Sequence, residues 1–403
     1  MTNDNDVVIV SAARTPFDRF GGPMRHLHSI DLGAMAMKEV LSRINLPSSE
    51  VEMVYYGTCI PAETCLECNI PGRQALLKAG LPPETVSVTI DRACCSSLTG
   101  IIFGYQGIKS GLYDIVLAAG AENMMNAPLL GRGLRWGSRL GHVKLEDPLF
   151  ELGYKGDFKP VAVDAGEVAL EYGVSREEQD DWAYLSQIRY QEAFKQGKFN
   201  DEIFPVTIKV PGGKEEVLEV DQCPRPEISR EKIGKLSTVY GSPTITAANA
   251  PAMASGASAV VIMSRKKAKE LGYEPLATIK AVSNMALEPR LLAVAPAPAI
   301  SSVLKNASLK LEDVDLIEIN EAFAAMPCVA SHILSEGNAA VQQRIKDITN
   351  VNGGAIAIGH PVGASGARIL MTAMYELRRR GGGVAACAIC GGLAQGDSAV
   401  IEV

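Results

Sequence analysis

Two stretches of the chain, Val86 to Gly111 and Asp347 to Leu377, follow the same order and constrain the fold more than anything else in it. In the first, the β-favouring run Val86-Ser87-Val88-Thr89-Ile90 leads to a polar corner, Asp91-Arg92, and then to Ala93, Cys94, Cys95, Ser96 and Ser97. Apolar residues follow at Leu98, Ile101, Ile102, Tyr105 and Ile108, the spacing of one helical face. In the second, a strand is expected over Asp347 to Asn352, then a glycine-rich turn and a helix carrying Ile369, Leu370, Ala373, Met374 and Leu377. Both helices begin in small residues: Ser96, Ser97, Gly100 and Gly104 in one, Gly363, Ser365, Gly366 and Ala367 in the other. Glycine weakens a helix by about 1 kcal/mol relative to alanine, so this clustering implies close packing. A pair of such helices buried between two sheets accounts for it. Val314 to Asn320 also echoes Val51 to Gly57. The chain of 403 residues has room for two or three domains or one large duplicated unit, and the repeats favour duplication.

The remaining elements fit a mostly parallel α/β sheet. Val7 to Val10 reads as a strand, Asp31 to Ile44 as a helix, Val51 to Thr58 as a strand, Gly72 to Ala79 as a helix and Asp114 to Ala119 as a strand. From Met124 to about Tyr240 the character changes. Ser175-Arg176-Glu177-Glu178 is a capping box opening a charged helix to Gln196, expected to present a solvated face, and Ile203 to Val220 reads as a hairpin around Pro211-Gly212-Gly213. This region is expected to be an insertion capping the main unit. The units are residues 1–123 with 241–265 for the first half, 124–240 for the cap, and 266–403 for the second half.

Hydrophobic residues make up 47% and charged residues 21%, enough for a full core. The net charge of -7 argues against a nucleic-acid surface. Met1 to Asp6 lacks the pattern of a signal peptide, no apolar run reaches membrane-helix length, and the last four residues are not a peroxisomal address. Nine cysteines without a secretory signal suggest reduced thiols and a cytoplasmic protein. Cys65/Cys68 and Cys387/Cys390 have C-x-x-C spacing, but no histidine lies near either pair, so metal is not expected.

Four positions carry chemistry. Cys94 precedes a helix whose unpaired N–H groups and dipole favour thiolate, which makes it a candidate nucleophile; a buried structural cysteine is the alternative. Asn320-Glu321-Ala322-Phe323-Ala324 ends a buried-looking strand, where α/β proteins build sites, although Asn320 also suits a helix N-cap. His360 sits in Asn352-Gly353-Gly354-Ala355-Ile356-Ala357-Ile358-Gly359-His360-Pro361 and is a candidate base. Cys390-Gly391-Gly392 ends another small-residue strand, where backbone N–H groups can hold an oxyanion. Two cysteines, a histidine and an asparagine on strand-end loops suit acyl transfer through a thioester.

Together these clusters, with Val7 to Pro16 and the cap stretch Tyr172 to Gln179, closely resemble the thiolases over nearly the whole chain. The resemblance implies the thiolase fold, duplicated α/β halves in five αβαβα layers with an inserted cap. It implies Cys94 as the nucleophile that becomes acylated, His360 as its base, and Cys390 as the second acid/base. It assigns the thioester oxygen to His360 and, through a water, Asn320, and the second oxyanion hole to the N–H groups of Cys94 and Gly392. No cofactor or metal is implied; coenzyme A and acyl-CoA are substrates. Arg225, Leu152, Pro160, Val161, Ala247, Pro251, Leu292, Ala322 and Phe323 align with substrate- and CoA-binding positions. Several departures stand out. Cys95 and Ser97 replace glycines, Pro160-Val161-Ala162 replaces His-Met-Gly, Pro251-Ala252 replaces Ser-Gly, and Leu292 replaces methionine. They imply degradative cleavage of a 3-oxoacyl-CoA with a bulky aromatic or branched acyl group. A biosynthetic acetoacetyl-CoA thiolase, a ketosynthase and a non-catalytic thiolase-like binding protein are the alternatives. A ketosynthase would carry Cys-His-His or Cys-His-Asn, without a second cysteine in the last loop. The resemblance further implies a homodimer or homotetramer, with Leu134-Arg135-Trp136-Gly137 a tetramer contact, and in some thiolases a small accessory subunit.

Overall fold

The computed structural model describes residues 3–60, 63, 69–151 and 157–403. Leu152 and the pair Cys65/Cys68 lie outside the described residues. Twelve strands run in chain order among them: β1 (Val7–Arg14), β2 (Asp18–Arg19), β3 (Met53–Gly57), β4 (Val86–Ile90), β5 (Ile115–Asn123), β6 (Val206–Val210), β7 (Lys214–Leu218), β8 (Ala254–Ser264), β9 (Ala277–Ala286), β10 (Leu316–Ile319), β11 (Val384–Gly391) and β12 (Gln395–Glu402).

The strand order β1-β8-β5-β3-β4 is antiparallel, antiparallel, parallel, parallel. The order β9-β12-β11-β10 has the same directions and ends in a parallel bridge from Ile317 to Thr349. The two sets are copies of one topology. They join where Val7–Ile9 of β1 pairs with Ala277–Ile279 of β9. A register shift between Ile9 and Ser11 inverts the alternation of β1. Val7, Ile9 and Ala12 therefore face the central layer, while Val8, Val10 and Ala13 face the outer one.

Helices fill three layers around these sheets. Ser29–Ser42 lies on the outer face of β5 and β8, and Pro296–Ala307 on the outer side of β9 and β12. Between the sheets lie two central helices, Ser96–Lys109 and Ser365–Arg380, packed on each other. The small residues at their starts let the backbones touch: a Cβ on Gly366 would come within 2.6 Å of Leu98 N, and one on Gly120 within 2.1 Å of Gly363 O. The duplication expected from the repeats, and the five-layer fold the resemblance implied, are both observed.

Three expectations need correction. The main sheet is mixed, not mostly parallel: β3 pairs parallel with β4 and β5, and β10 with β11, while its other strand pairs are antiparallel. The strand foreseen over Asp347 to Asn352 is absent; Ala339–Ile348 is helical and Thr349 makes one bridge. Asn350 adopts φ +48°, which ends extended pairing, and its side chain supplies the missing bonds to Ile319 N and O, both at 2.8 Å. The charged helix Arg176–Lys195, capped by Ser175 as expected, is more than a solvated face: Trp182, Ala183, Ser186, Gln187 and Tyr190 are buried. The segment expected to form a hairpin does so, as β6 and β7.

Candidate active site

Strand β4 runs parallel to β3, and β10 parallel to β11, and the loops after β4, β10 and β11 carry the chemistry. After β4 the chain turns at Ala93, whose φ of +49° is rare for a residue with a Cβ. The turn is fastened at every corner. Ala93 N–H donates to Asp91 Oδ1 at 3.0 Å, Ser96 Oγ accepts from Arg92 N–H at 2.9 Å and donates to Ala93 O at 2.7 Å. The Arg92 guanidinium bonds Asp397 at 2.7 Å and Gln395 at 2.9 Å, tying the elbow to β12. Cys94 stands at the apex, just before the first central helix.

The two side chains that replace glycine beside Cys94 are accommodated. Cys95 is fully buried, its thiol points to Ile389 O at 3.4 Å, and a Cβ on Gly391 would strike its sulfur at 2.8 Å. Ser97 Oγ accepts the N–H of Ala367 at 2.9 Å, giving the second central helix a partner for one free N-terminal amide.

His360 is placed by a loop that only glycine allows. Gly359 has φ +101° and a Cβ there would lie 2.7 Å from Cys223 Sγ. Glu321 underpins the preceding turn. It accepts Trp182 Nε1 and Asn350 Nδ2 at 2.9 Å on one oxygen, and Ser186 Oγ at 2.8 Å and Ile356 N–H at 3.0 Å on the other. A Cβ on Gly354 would sit 2.3 Å from that carboxyl group. Ser365 Oγ lies 2.6 Å from His360 Nδ1 and donates its own proton to Pro361 O at 3.0 Å. Ser365 therefore accepts from Nδ1–H, and the Nε2 lone pair is left facing Cys94 Sγ at 3.1 Å. Asn320 Nδ2 lies 3.4 Å from the same Nε2.

Cys94, His360, Cys390 and Gly392 line one cavity of about 390 Å³ with Cys59, Asp91, Ala93, Val161, Leu292, Ala322, Phe323, Val362 and Gly391. Asn320 stands behind His360, not on the cavity wall. Cys387 belongs to the core between the sheets and Cys390 to the core on the cap side, so the thiols of that C-x-x-C face opposite ways.

The thiolate expected at Cys94 is not the resting form. Burial pushes its pKa up to about 12, partly countered by its own backbone N–H, while the Glu122 and Asp91 charges push it further up. Burial, and then the Arg368 charge, lower His360 to about 3. Desolvation disfavours both ions and outweighs the helix dipole, so thiol and imidazole rest neutral. Burial likewise raises the Cys390 thiol.

The binding positions divide. Val161, Leu292, Ala322 and Phe323 line the cavity beside Cys94. Arg225 lines a second cavity of about 450 Å³ with Pro226, Glu227, Ile228, Lys232, Ile233, Leu236 and Ala248, and bonds Ala247 O at 2.9 Å. Pro160, Ala247 and Pro251 line neither cavity; Pro160 instead starts the helix Val161–Glu171.

Cys59, Asp91 and Val362 in the wall, and Glu122, Ser365, Arg368 and Glu318 behind it, were not singled out from the sequence. For Ser365 a signal existed, five residues after His360 at a helix start. For Glu122, which binds Cys59 N–H, Ile60 N–H, Gly363 N–H and the Thr58 hydroxyl at 2.9–3.0 Å, only its place at the end of a strand pointed that way.

This fold and pocket define a cysteine-based acyl-transfer scaffold assembled from two copies of one α/β unit. The thiolase N-terminal domain matches residues 7–266 and the thiolase C-terminal domain residues 273–403. The chain is 39% identical over 400 residues to an acetyl-CoA acetyltransferase of Cupriavidus necator, covering 98% of this chain and 99% of that one. It is 38% identical over 401 residues to the mitochondrial 3-ketoacyl-CoA thiolase of Homo sapiens, covering 98% of each. The crystal structure of human mitochondrial 3-ketoacyl-CoA thiolase superposes with a TM-score of 0.91 at 36% identity, over 100% of this chain and 99% of that one. The same enzyme in complex with CoA gives 0.91 at 37% identity over 98% of each. The chain belongs to the thiolase family of acyltransferases.

Proposed function

We propose that this thiolase cleaves a 3-oxoacyl-CoA with coenzyme A, Claisen condensation being the formal reverse. The observation that carries the reading is Cys94 Sγ at 3.1 Å from an unprotonated His360 Nε2, in a cavity that also holds Cys390. The Cys94 thiol passes its proton to Nε2 as sulfur attacks the C3 carbonyl, whose oxygen is held by the N–H groups of Cys94 and Gly392. The C2–C3 bond breaks. The acyl group stays on Cys94, and the acetyl-CoA enolate, its thioester oxygen held by His360 and, through a water, Asn320, takes a proton from Cys390. The Cys390 thiolate then deprotonates incoming CoA, whose sulfur attacks the acyl-enzyme; Cys94 leaves as thiolate and takes back its proton from His360. CoA is a substrate throughout. Arg225 and Lys232 offer positive charge to its nucleotide end.

The acyl wall favours a group bulkier than acetoacetyl. Val161 and Leu292 stand where methionines are usual, and Phe323 and Val362 extend the apolar surface. The relatives include acetyl-CoA acetyltransferases, which keeps acetoacetyl-CoA as the second reading. A panel of 3-oxoacyl-CoA esters varied in length, branching and aromatic content tests this. Faster turnover of acetoacetyl-CoA than of every larger ester rejects the bulky acyl group. No trapped acyl group on Cys94, by mass spectrometry with any acyl-CoA, rejects the reaction.

We further infer a cytoplasmic homo-oligomer, dimer or tetramer, built from halves 1–123 with 241–265 and 266–403 and the cap 124–240. The strongly exposed Trp136, 86% accessible, supports a subunit contact on the cap.

A further inference from the structure

Asn320 has a buried cation on one side and His360 on the other. A carboxamide has two ends of nearly equal shape, and its partners decide which way it points. Asn320 Oδ1 faces Arg368 Nη2 at 3.5 Å, and Nδ2 faces His360 Nε2 at 3.4 Å. A guanidinium has only donors. Flipping the amide would set its NH2 against that cation and its oxygen against the Nε2 lone pair. The Arg368 contact thus fits Nδ2, and not Oδ1, on the His360 side of Asn320.

Arg368 is itself aimed. It is fully buried on the second central helix, and Nη1 bonds Glu318 Oε2 at 3.1 Å. Glu318 precedes Asn320 by two residues, so strand alternation puts both on the face toward that helix. The pair is poorly made for stability. Arg368 Nε and Glu318 Oε1 are buried with no hydrogen-bond partner, and burial raises the Glu318 pKa to about 8 despite the cation beside it. A buried pair with unmet groups costs stability relative to an apolar filling. Such exceptions cluster where function needs them.

We propose that Arg368, held by Glu318, is a positioning residue that orients the Asn320 amide with its NH2 toward the water through which it holds the thioester oxygen of the bound acyl-CoA. This rests on the reading of Asn320 as a water-mediated donor to that oxygen. Loss of one such donor typically costs roughly 100- to 1000-fold in rate, which bounds the effect of misorienting it.

The test is a double-mutant cycle on the full chain with one 3-oxoacyl-CoA and CoA, combining Arg368→Met with Asn320→Ala. Arg368→Met alone is expected to lower kcat at least 10-fold with KM changed less than 3-fold, and to move the acid limb of the pH profile upward as His360 loses the nearby charge. In the Asn320→Ala background it is expected to cost less than 3-fold, and Arg368→Lys is expected to restore part of kcat. Equal losses in both backgrounds, or no loss in either, overturn the proposal. An Asn320→Ala enzyme with wild-type kcat instead overturns the reading of Asn320 as a donor. Should Arg368→Met fail to unfold cooperatively, Arg368→Lys in the same two backgrounds replaces it, with the same criteria at smaller amplitude.

Discussion

The hydroxyl of Ser365 sits 2.6 Å from Nδ1 of His360 and spends its own proton on Pro361 O. One side chain therefore sets both the tautomer and the ring orientation of His360, the proposed base. Ser365→Ala should lower kcat by roughly 10- to 100-fold, the size seen when an orienting partner is lost, with KM nearly unchanged. Steady-state kinetics with a thermal unfolding curve checks this. A loss confined to KM, or to stability, would refute the assignment.

Neutral Cys94 and His360 have a direct kinetic consequence. With the thiol near 12 and the imidazolium near 3, neither group titrates in the neutral range. Alkylation of Cys94 by iodoacetamide should keep rising with pH to at least 10, without the plateau of a thiolate–imidazolium pair. Asp91 raises the thiol by its charge, so Asp91→Asn should make Cys94 react faster at a given pH. Mass-mapped alkylation rates over pH decide both points, and a plateau below pH 7 would count against the neutral pair.

Glu122 is expected to titrate near 7, because burial outweighs its four hydrogen bonds. Its folded pKa lies above the unfolded value of about 4.3. The folded state therefore holds a proton that the unfolded chain releases. The sign follows: this group contributes stability at low pH that is lost as pH rises from about 4.3 through 7. Urea unfolding should show that fall, and infrared titration should show a protonated carboxyl disappearing with a midpoint near 7. Persistence of that midpoint in Glu122→Gln would assign it to another carboxyl.

Trp136 and Leu134 project from a short turn in the cap, both exposed. If they form a subunit contact, Trp136→Ala should shift the protein to a smaller oligomer by sedimentation velocity while leaving the unfolding midpoint of the isolated subunit little changed. An unaltered sedimentation coefficient would place the contact elsewhere.

The duplication was legible in the sequence because a turn and a small-residue helix occur twice and Val314 to Asn320 echoes Val51 to Gly57. The gathering of Cys94, His360 and Cys390 at one cavity was legible in part: Cys94 follows one β-rich run and Cys390 ends another, while His360 stands out in a glycine-rich loop. The supports were not. Glu122, Arg368 and Glu318 are ordinary charged residues in sequence, and only their burial singles them out. The protonation state of Cys94 was misjudged because a helix dipole can be read from spacing, whereas desolvation depends on what packs around the sulfur. The missing strand at Asp347 to Asn352 failed for a local reason: one side-chain amide of Asn350 does the work of a ladder.

The bond from Ser97 to Ala367 crosses from one copy of the repeat to the other, where Gly366 lets the backbones meet. Cys94 and His360 come from opposite copies, so their separation is a dimension of the joint, not of either part. A chain cut between the halves would carry a thiol without its base and a base without its thiol. Activity regained on mixing two such pieces would measure how faithfully the joint re-forms, using the chemistry as a ruler.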